Sequence, residues 1–162
     1  MTAGPRLEPV TQENVRAACD LKLRPGQEGL VAPVARSLAY AYTLPDVAWP
    51  RLIYDGDRLV GFVMAAFDPA SESTLYRAYL WMLSIGAEHQ GGGYGRFAVD
   101  EVCKEALRRG QHRVTVSYTP GEDGPAGFYR RLGFHPTGEF NQGEEVAELI
   151  LASPPATAAR SS

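Results

Sequence analysis

Cysteine is nearly absent. Cys19 and Cys103 are the only two in 162 residues, and they stand far apart in the chain. That excludes a disulfide-stapled scaffold, and two such thiols read as free, buried and held in a reducing cytoplasm. Histidine is almost as scarce: His89, His112 and His135 have no metal-ligand spacing to one another or to the cysteines, so no metal is expected. No apolar run reaches membrane-spanning length, and residues 1–9 lack the apolar core of a signal peptide, which argues against a membrane partner. Charge of one sign is not in excess either. Sixteen basic residues face 19 acidic ones for a net charge of −3, so the basic footprint that nucleic acid requires is missing. Internal repeats are also lacking.

What is present is the composition of an ordinary globular protein, 44% apolar and 22% charged, at a length that gives one domain a proper core. Residues 1–152 are expected to form that domain. Residues 153–162 are Pro, Ala, Thr, Ser and one Arg, and read as a disordered tail. Hydrophobic periodicity suggests a first strand over residues 6–10. A helix capped by Thr11 follows, with Val15, Ala18, Cys19 and residues 21–23 as its apolar stripe, broken at Arg24-Pro25-Gly26. A second helix is expected over 33–42. Strands at 51–54 and 59–67 are joined by the tight turn Asp55-Gly56-Asp57. Residues 74–85 are apolar on both alternations, as in a central strand covered on both faces. A polar loop, 86–92, leads to an amphipathic helix over 93–109 that Gly110 caps. Then come a buried strand at 114–118, a short helix at 126–132 and a closing hairpin of 137–140 with 146–151. The fold class is α/β (α+β): a mixed, mostly antiparallel central sheet with helices on both faces.

The sharpest local feature is Gln90-Gly91-Gly92-Gly93-Tyr94-Gly95-Arg96, set between a buried strand and an amphipathic helix. Glycines in such density cost chain entropy and pack poorly, and they make sense where backbone approaches a ligand closely. Amide N–H groups at a helix N-terminus, which carries roughly half a unit of positive charge, form a cradle for pyrophosphate. Two other phosphate-binding readings fail. A kinase-type loop needs Lys and then Ser or Thr after its last glycine, where this chain has Arg96 and Phe97. The dinucleotide pattern fits Gly93-x-Gly95-x-x-Ala98, but it needs an acidic residue about twenty positions on, where Thr115, Val116 and Ser117 stand. A second constellation is Phe128-Tyr129-Arg130-Arg131-Leu132-Gly133-Phe134. Taken alone, its Tyr129 reads as a core residue of a short amphipathic helix.

Together the two segments resemble a known family. Gln90-x-x-Gly93-x-Gly95 resembles the Arg/Gln-x-x-Gly-x-Gly/Ala signature of the GNAT superfamily of acetyl-CoA-dependent acetyltransferases, and Tyr129 to Phe134 resembles its Tyr-x-x-Leu-Gly-Phe segment. The order of elements also fits, over residues 6–151. A narrower resemblance, to the bacterial spermine/spermidine (diamine) N-acetyltransferase branch, runs through Gln27-Glu28-Gly29-Leu30-Val31-Ala32-Pro33, Ser37-Leu38-Ala39, Gly61-Phe62-Val63-Met64 and residues 124–139. Three positions depart from that branch: Val34 where it usually has Asn, Tyr40 where it has an acidic residue, and Met82 where it has Arg.

The resemblance implies acetyl-CoA as co-substrate and a small-molecule amine as acceptor. It implies Tyr129 as the acid that protonates the leaving thiolate. Leu83, Ser84 and Ile85 would pair main chain with the pantetheine arm, and Gln90, Gly91, Gly92, Gly93, Tyr94, Gly95 and Arg96 would hold the pyrophosphate. Glu28, Tyr40 and Trp81 are candidate acceptor-binding residues. The base that frees the amine is not legible; Glu28, Asp68 and Glu145 are candidates. Trp49 and Tyr79 are further candidates for the acceptor cleft, and His89 reads as a solvated loop residue. Acetylation of a protein N-terminus or lysine, and a non-catalytic acyl-CoA sensor, stand as alternatives. Assembly as a homodimer is left open.

Overall fold

The computed structural model describes residues 3–25 and 33–152. Seven strands form one sheet: β1 (Arg6–Glu8), β2 (Ala48–Asp55), β3 (Arg58–Ala66), β4 (Tyr79–Ile85), β5 (Arg113–Tyr118), β6 (His135–Asn141) and β7 (Glu144–Ile150), in the order β1-β2-β3-β4-β5-β7-β6. Every neighbouring pair is antiparallel except β4 and β5, which run parallel. The helices are α1 (Val15–Cys19), α2 (Val34–Thr43), α3 (Tyr94–Arg108) and α4 (Ala126–Arg131). The fold is therefore the expected mixed, mostly antiparallel sheet.

Strand alternation divides the apolar side chains between two cores. On one face, Val99, Val102 and Ala106 of α3 and Tyr129 of α4 pack with Ile53, Val63, Leu80, Val114 and Val116. On the other, Ala18 of α1 and Val34 of α2 pack with Leu52, Phe62 and Met64. Helices thus cover both faces. None among the described residues is long and apolar enough to cross a membrane.

Several boundaries differ from the expectation, for local reasons. Thr11 does not cap α1. The Asn14 side chain turns back, accepting the Thr11 N–H at 2.7 Å and donating to the Pro9 carbonyl at 3.1 Å, so the turn tightens and the helix starts late. It also ends early: Lys22 lies outside the helix, and its carbonyl accepts the N–H of Ala87 at 2.8 Å. Cys19, expected to be buried, is exposed on this short helix. Thr74–Arg77 is a 3-10 turn rather than the start of β4. Its carbonyls are spent elsewhere, Tyr76 on the N–H of Asp68 and Leu75 on the Thr115 hydroxyl. The closing hairpin is longer than expected, because Gln142 and Gly143 both take positive φ (51° and 84°) and make a tight two-residue turn. Glu28 and the proposed tail lie outside the described residues.

Candidate active site

The site begins where the sheet divides. β4 and β5 pair only through Tyr79 with Thr115 and Leu80 with Val116, then diverge. A β-bulge in β4 accompanies the divergence: Ala65 of β3 faces Leu80 and Met64 faces Met82, so Trp81 is the extra residue. The bulge also resets the alternation. Leu80 and Leu83 join the α3-side core, while Trp81 and Met82 both join the α2-side core. A cleft of about 1310 Å³ runs through the fork, reached from both faces of the sheet.

On the α3 side the cleft is bounded by the glycine turn. Gly91 and Gly93 have φ of +82° and +83°, a conformation L side chains rarely adopt, and Gly93 is the residue that caps α3. Gly95 serves a different purpose. A Cβ there would stand 3.1 Å from Cζ of Phe128, so this glycine lets α3 and α4 pack. The N–H groups of residues 91–96 donate to no carbonyl among the described residues, and the first helical bond is Phe97 N–H to Gly93 at 3.0 Å. No acid occupies the first turn of α3. Gln90, Gly91, Gly93, Tyr94, Gly95 and Arg96 line the cleft and Gly92 does not. The Tyr94 hydroxyl is committed to Asp55, at the end of β2, and His89 stands edge-on to the Tyr94 ring while lining the cleft.

Leu83, Ser84 and Ile85 also line the cleft, but their main chains differ. Gly86 donates to Val60 of β3 at 2.8 Å, so alternation directs the Ser84 main chain toward β3 as well. The expectation that Ser84 offers its main chain to a ligand therefore fails. Leu83 addresses the fork. So does Ile85, whose carbonyl is taken by Nε2 of Gln90 at 3.1 Å.

Tyr129 sits beneath the fork on α4. Its ring stacks on Tyr118 at 5.6 Å between centroids and meets Phe128 and Phe134 edge-on. The residue is buried to 7% exposure, yet it lines the cleft, and its hydroxyl has no hydrogen-bond partner among the described residues. Burial holds this phenol well above its ordinary range, with Tyr79 and Tyr118 adding to the effect. The group keeps its proton at neutral pH.

On the α2 side, Tyr40 and Trp81 line the cleft with ring centroids 5.7 Å apart. Trp49 does not. It packs edge-on to Phe67 in the core beneath the Arg51 guanidinium, so its candidacy as a cleft residue is withdrawn. Asp68 and Tyr79 reach the cleft as expected. Glu145 does not, because alternation along β7 turns it away and presents its neighbour Glu144 instead. Glu144, Ser117, Tyr76 and Asn141 were not singled out from sequence. Tyr79 and Ser117 share a hydrogen bond of 2.5 Å, and Ser117 donates to Glu144 at 2.9 Å. The nearest sequence signal was the clustering of acids near the closing turn, which does not say which acid faces inward.

Comparison with known proteins identifies this architecture. The Acetyltransferase (GNAT) family matches residues 23–134, and the chain belongs to that family. Among curated proteins it is similar to the L-2,4-diaminobutyric acid acetyltransferase of Shouchella clausii (strain KSM-K16), 26% identical over 78 residues. That match spans 48% of this chain and 42% of the relative's length. An acetyltransferase from Thermus thermophilus superposes with a TM-score of 0.70 at 22% identity, over 93% of this chain and 100% of that one. The PaiA N-acetyltransferase of Thermoplasma acidophilum in complex with coenzyme A gives 0.66 at 12%, over 91% and 99%. The spermidine/spermine N-acetyltransferase SpeG of Vibrio cholerae gives 0.64 at 16%, over 91% and 92%. At these identities the solved structures establish the fold.

Proposed function

We propose that the chain moves the acetyl group of acetyl-CoA onto a primary amine of a small molecule, polyamine-like or an amine-bearing metabolite or antibiotic, by direct attack of the amine on the thioester. One observation carries this reading. A single cleft crosses the sheet at the fork, with main-chain donors that meet no carbonyl among the described residues on one side, carboxylates and aromatic rings on the other, and Tyr129 in its lining. At about 1310 Å³ it exceeds the roughly 300–1,000 Å³ of a pocket for one small ligand, which suits two substrates meeting.

The donor set fits coenzyme A. The N–H groups of Gly91, Gly93, Tyr94, Gly95 and Arg96 would hold its pyrophosphate at the positive end of α3, and the positive φ of Gly91 and Gly93 leaves open space there. The Leu83 main chain would hold the pantetheine arm, while Gln90 fixes the end of β4 against the turn. Acetyl-CoA supplies the activated carbonyl and the thiol leaving group. Tyr129, protonated and without a competing partner among the described residues, donates its proton to the departing sulfur.

The acceptor class is read from the other side. Tyr40 and Trp81 offer aromatic faces, which attract organic cations, and Asp68 and Glu144 supply negative charge. Val34 is buried and Met82 packs on the α2-side core, so two of the three departures from the polyamine branch put apolar groups where that branch carries polar ones. Spermidine therefore ranks only slightly ahead of other small primary amines. The diaminobutyric acid acetyltransferase relative supports an amine acceptor. The test is acetyl-CoA turnover across a panel of amines and histone-like peptides, read by release of free thiol. Small primary amines are expected to lead. Peptide turnover above every free amine would reject the small-molecule reading, and coenzyme binding without turnover on any acceptor would favour a sensor.

A further inference from the structure

An alkylammonium with a pKa of about 10 must lose a proton before its nitrogen can attack, and the structure offers a route for that proton. Ser117 Oγ donates to Glu144 Oε2 at 2.9 Å, and Tyr79 Oη lies 2.5 Å from the same Ser117 oxygen. A serine hydroxyl has one proton. Since Ser117 spends it on a carboxylate that only accepts, Tyr79 must be the donor to Ser117. The chain of bonds therefore runs Tyr79 to Ser117 to Glu144, and the remaining lone pairs of the Tyr79 oxygen are left as an acceptor. All three residues line the cleft. Tyr79 stands at the fork, near enough to Tyr129 to perturb it electrostatically, with its ring held edge-on by Tyr76 at 5.4 Å. Glu144 makes no ion pair with any described residue, so its capacity to take a proton is not spent on a cation.

Resting on the reading of the chain as an amine acetyltransferase, we infer that Tyr79, Ser117 and Glu144 form the relay that removes the acceptor's proton. The ammonium gives its proton to the Tyr79 oxygen as the Tyr79 proton passes to Ser117 and the Ser117 proton passes to Glu144. The step leaves a neutral amine, with Tyr79 and Ser117 restored and Glu144 as the carboxylic acid. No other reactant is needed, and Glu144, which is only partly buried, then returns the proton to water.

The test compares two acceptors at saturating acetyl-CoA with the full chain. One is a primary alkylamine, protonated at the assay pH, and the other is trifluoroethylamine, which is largely neutral there. Glu144→Gln is expected to lower kcat for the alkylamine by about 10²-fold or more, within the range of a lost general base, beyond any rise in KM from the charge the cleft loses. The same variant should lose far less on trifluoroethylamine, because that acceptor needs no proton removed before its nitrogen attacks. Ser117→Ala should show the same selective loss, and Ser117→Thr, which keeps a hydroxyl, should recover most of it. Thermal melts of each variant verify folding, and Ser117→Ala carries the test if Glu144→Gln melts low. An equal loss on both acceptors, a change confined to KM, or no loss at all would overturn the relay while leaving amine acetylation standing. A wild-type chain that turns over neither amine would overturn both.

Discussion

Replacing Tyr129 by Phe removes one oxygen and leaves the ring contacts with Tyr118, Phe128 and Phe134 in place. The hydroxyl has no hydrogen-bond partner among the described residues, so no partner is orphaned by its loss. Stability should therefore hold or rise slightly. Catalysis should not hold. A general acid contributes roughly 10²–10⁴-fold, which is about 2.7–5.5 kcal/mol of barrier at 1.36 kcal/mol per decade. Burial keeps this phenol protonated through the working range, so the deficit should appear as a flat loss of kcat across neutral pH with acetyl-CoA affinity unchanged. Tyr129→Ala is a poorer probe, because emptying an aromatic site in the core costs about 3–5 kcal/mol and confounds folding with chemistry. The assays are free-thiol release and a thermal melt on the Phe variant. Turnover at the wild-type rate would refute the argument and return Tyr129 to a purely packing role.

Three further outcomes follow from the structure. Gly93→Asp puts a carboxylate into the mouth of α3 at a position whose left-handed φ Asp tolerates better than most residues; its own melting temperature should stay near wild type while the rise normally produced by coenzyme A disappears. Gly93→Asn, without the charge, should keep part of that rise, and a full rise in the Asp variant would mean the cradle lies elsewhere. Iodoacetamide should alkylate exposed Cys19 well before Cys103, whose thiol burial pushes up to about 11 from an ordinary 9.0. Because the folded state holds that proton more tightly than the unfolded chain, this thiol's contribution to stability is constant below about pH 9 and is lost as pH rises toward about 11. Cys103→Ala should flatten that alkaline fall in a series of thermal melts, and an unchanged slope would assign the fall to other groups.

What was legible without the structure was local. The glycine turn and the helix behind it could be read because positive φ and a 3.6-residue stripe are properties of consecutive residues, and Gly91, Gly93 and Tyr94–Arg108 conform. The Asp55-Gly56-Asp57 hairpin was legible for the same reason, as was the order of strands and helices that placed the chain in its family. Tertiary structure decided the rest. Alternation along β7 says that Glu144 and Glu145 face opposite ways, but only the pairing of β7 with β5 sets Glu144 beside Ser117. The Tyr79–Ser117–Glu144 chain joins residues 38 and 27 positions apart, a proximity no local pattern encodes. The bulge at Trp81 depends on β3 as much as on β4, and it turns Trp81 and Met82 onto the same face. Gly95 lines the cleft with its neighbours, but its lack of a side chain answers to Phe128, which packs against it from another helix. A chain read alone supplies each strand's two faces, and the register between strands decides which face becomes the site.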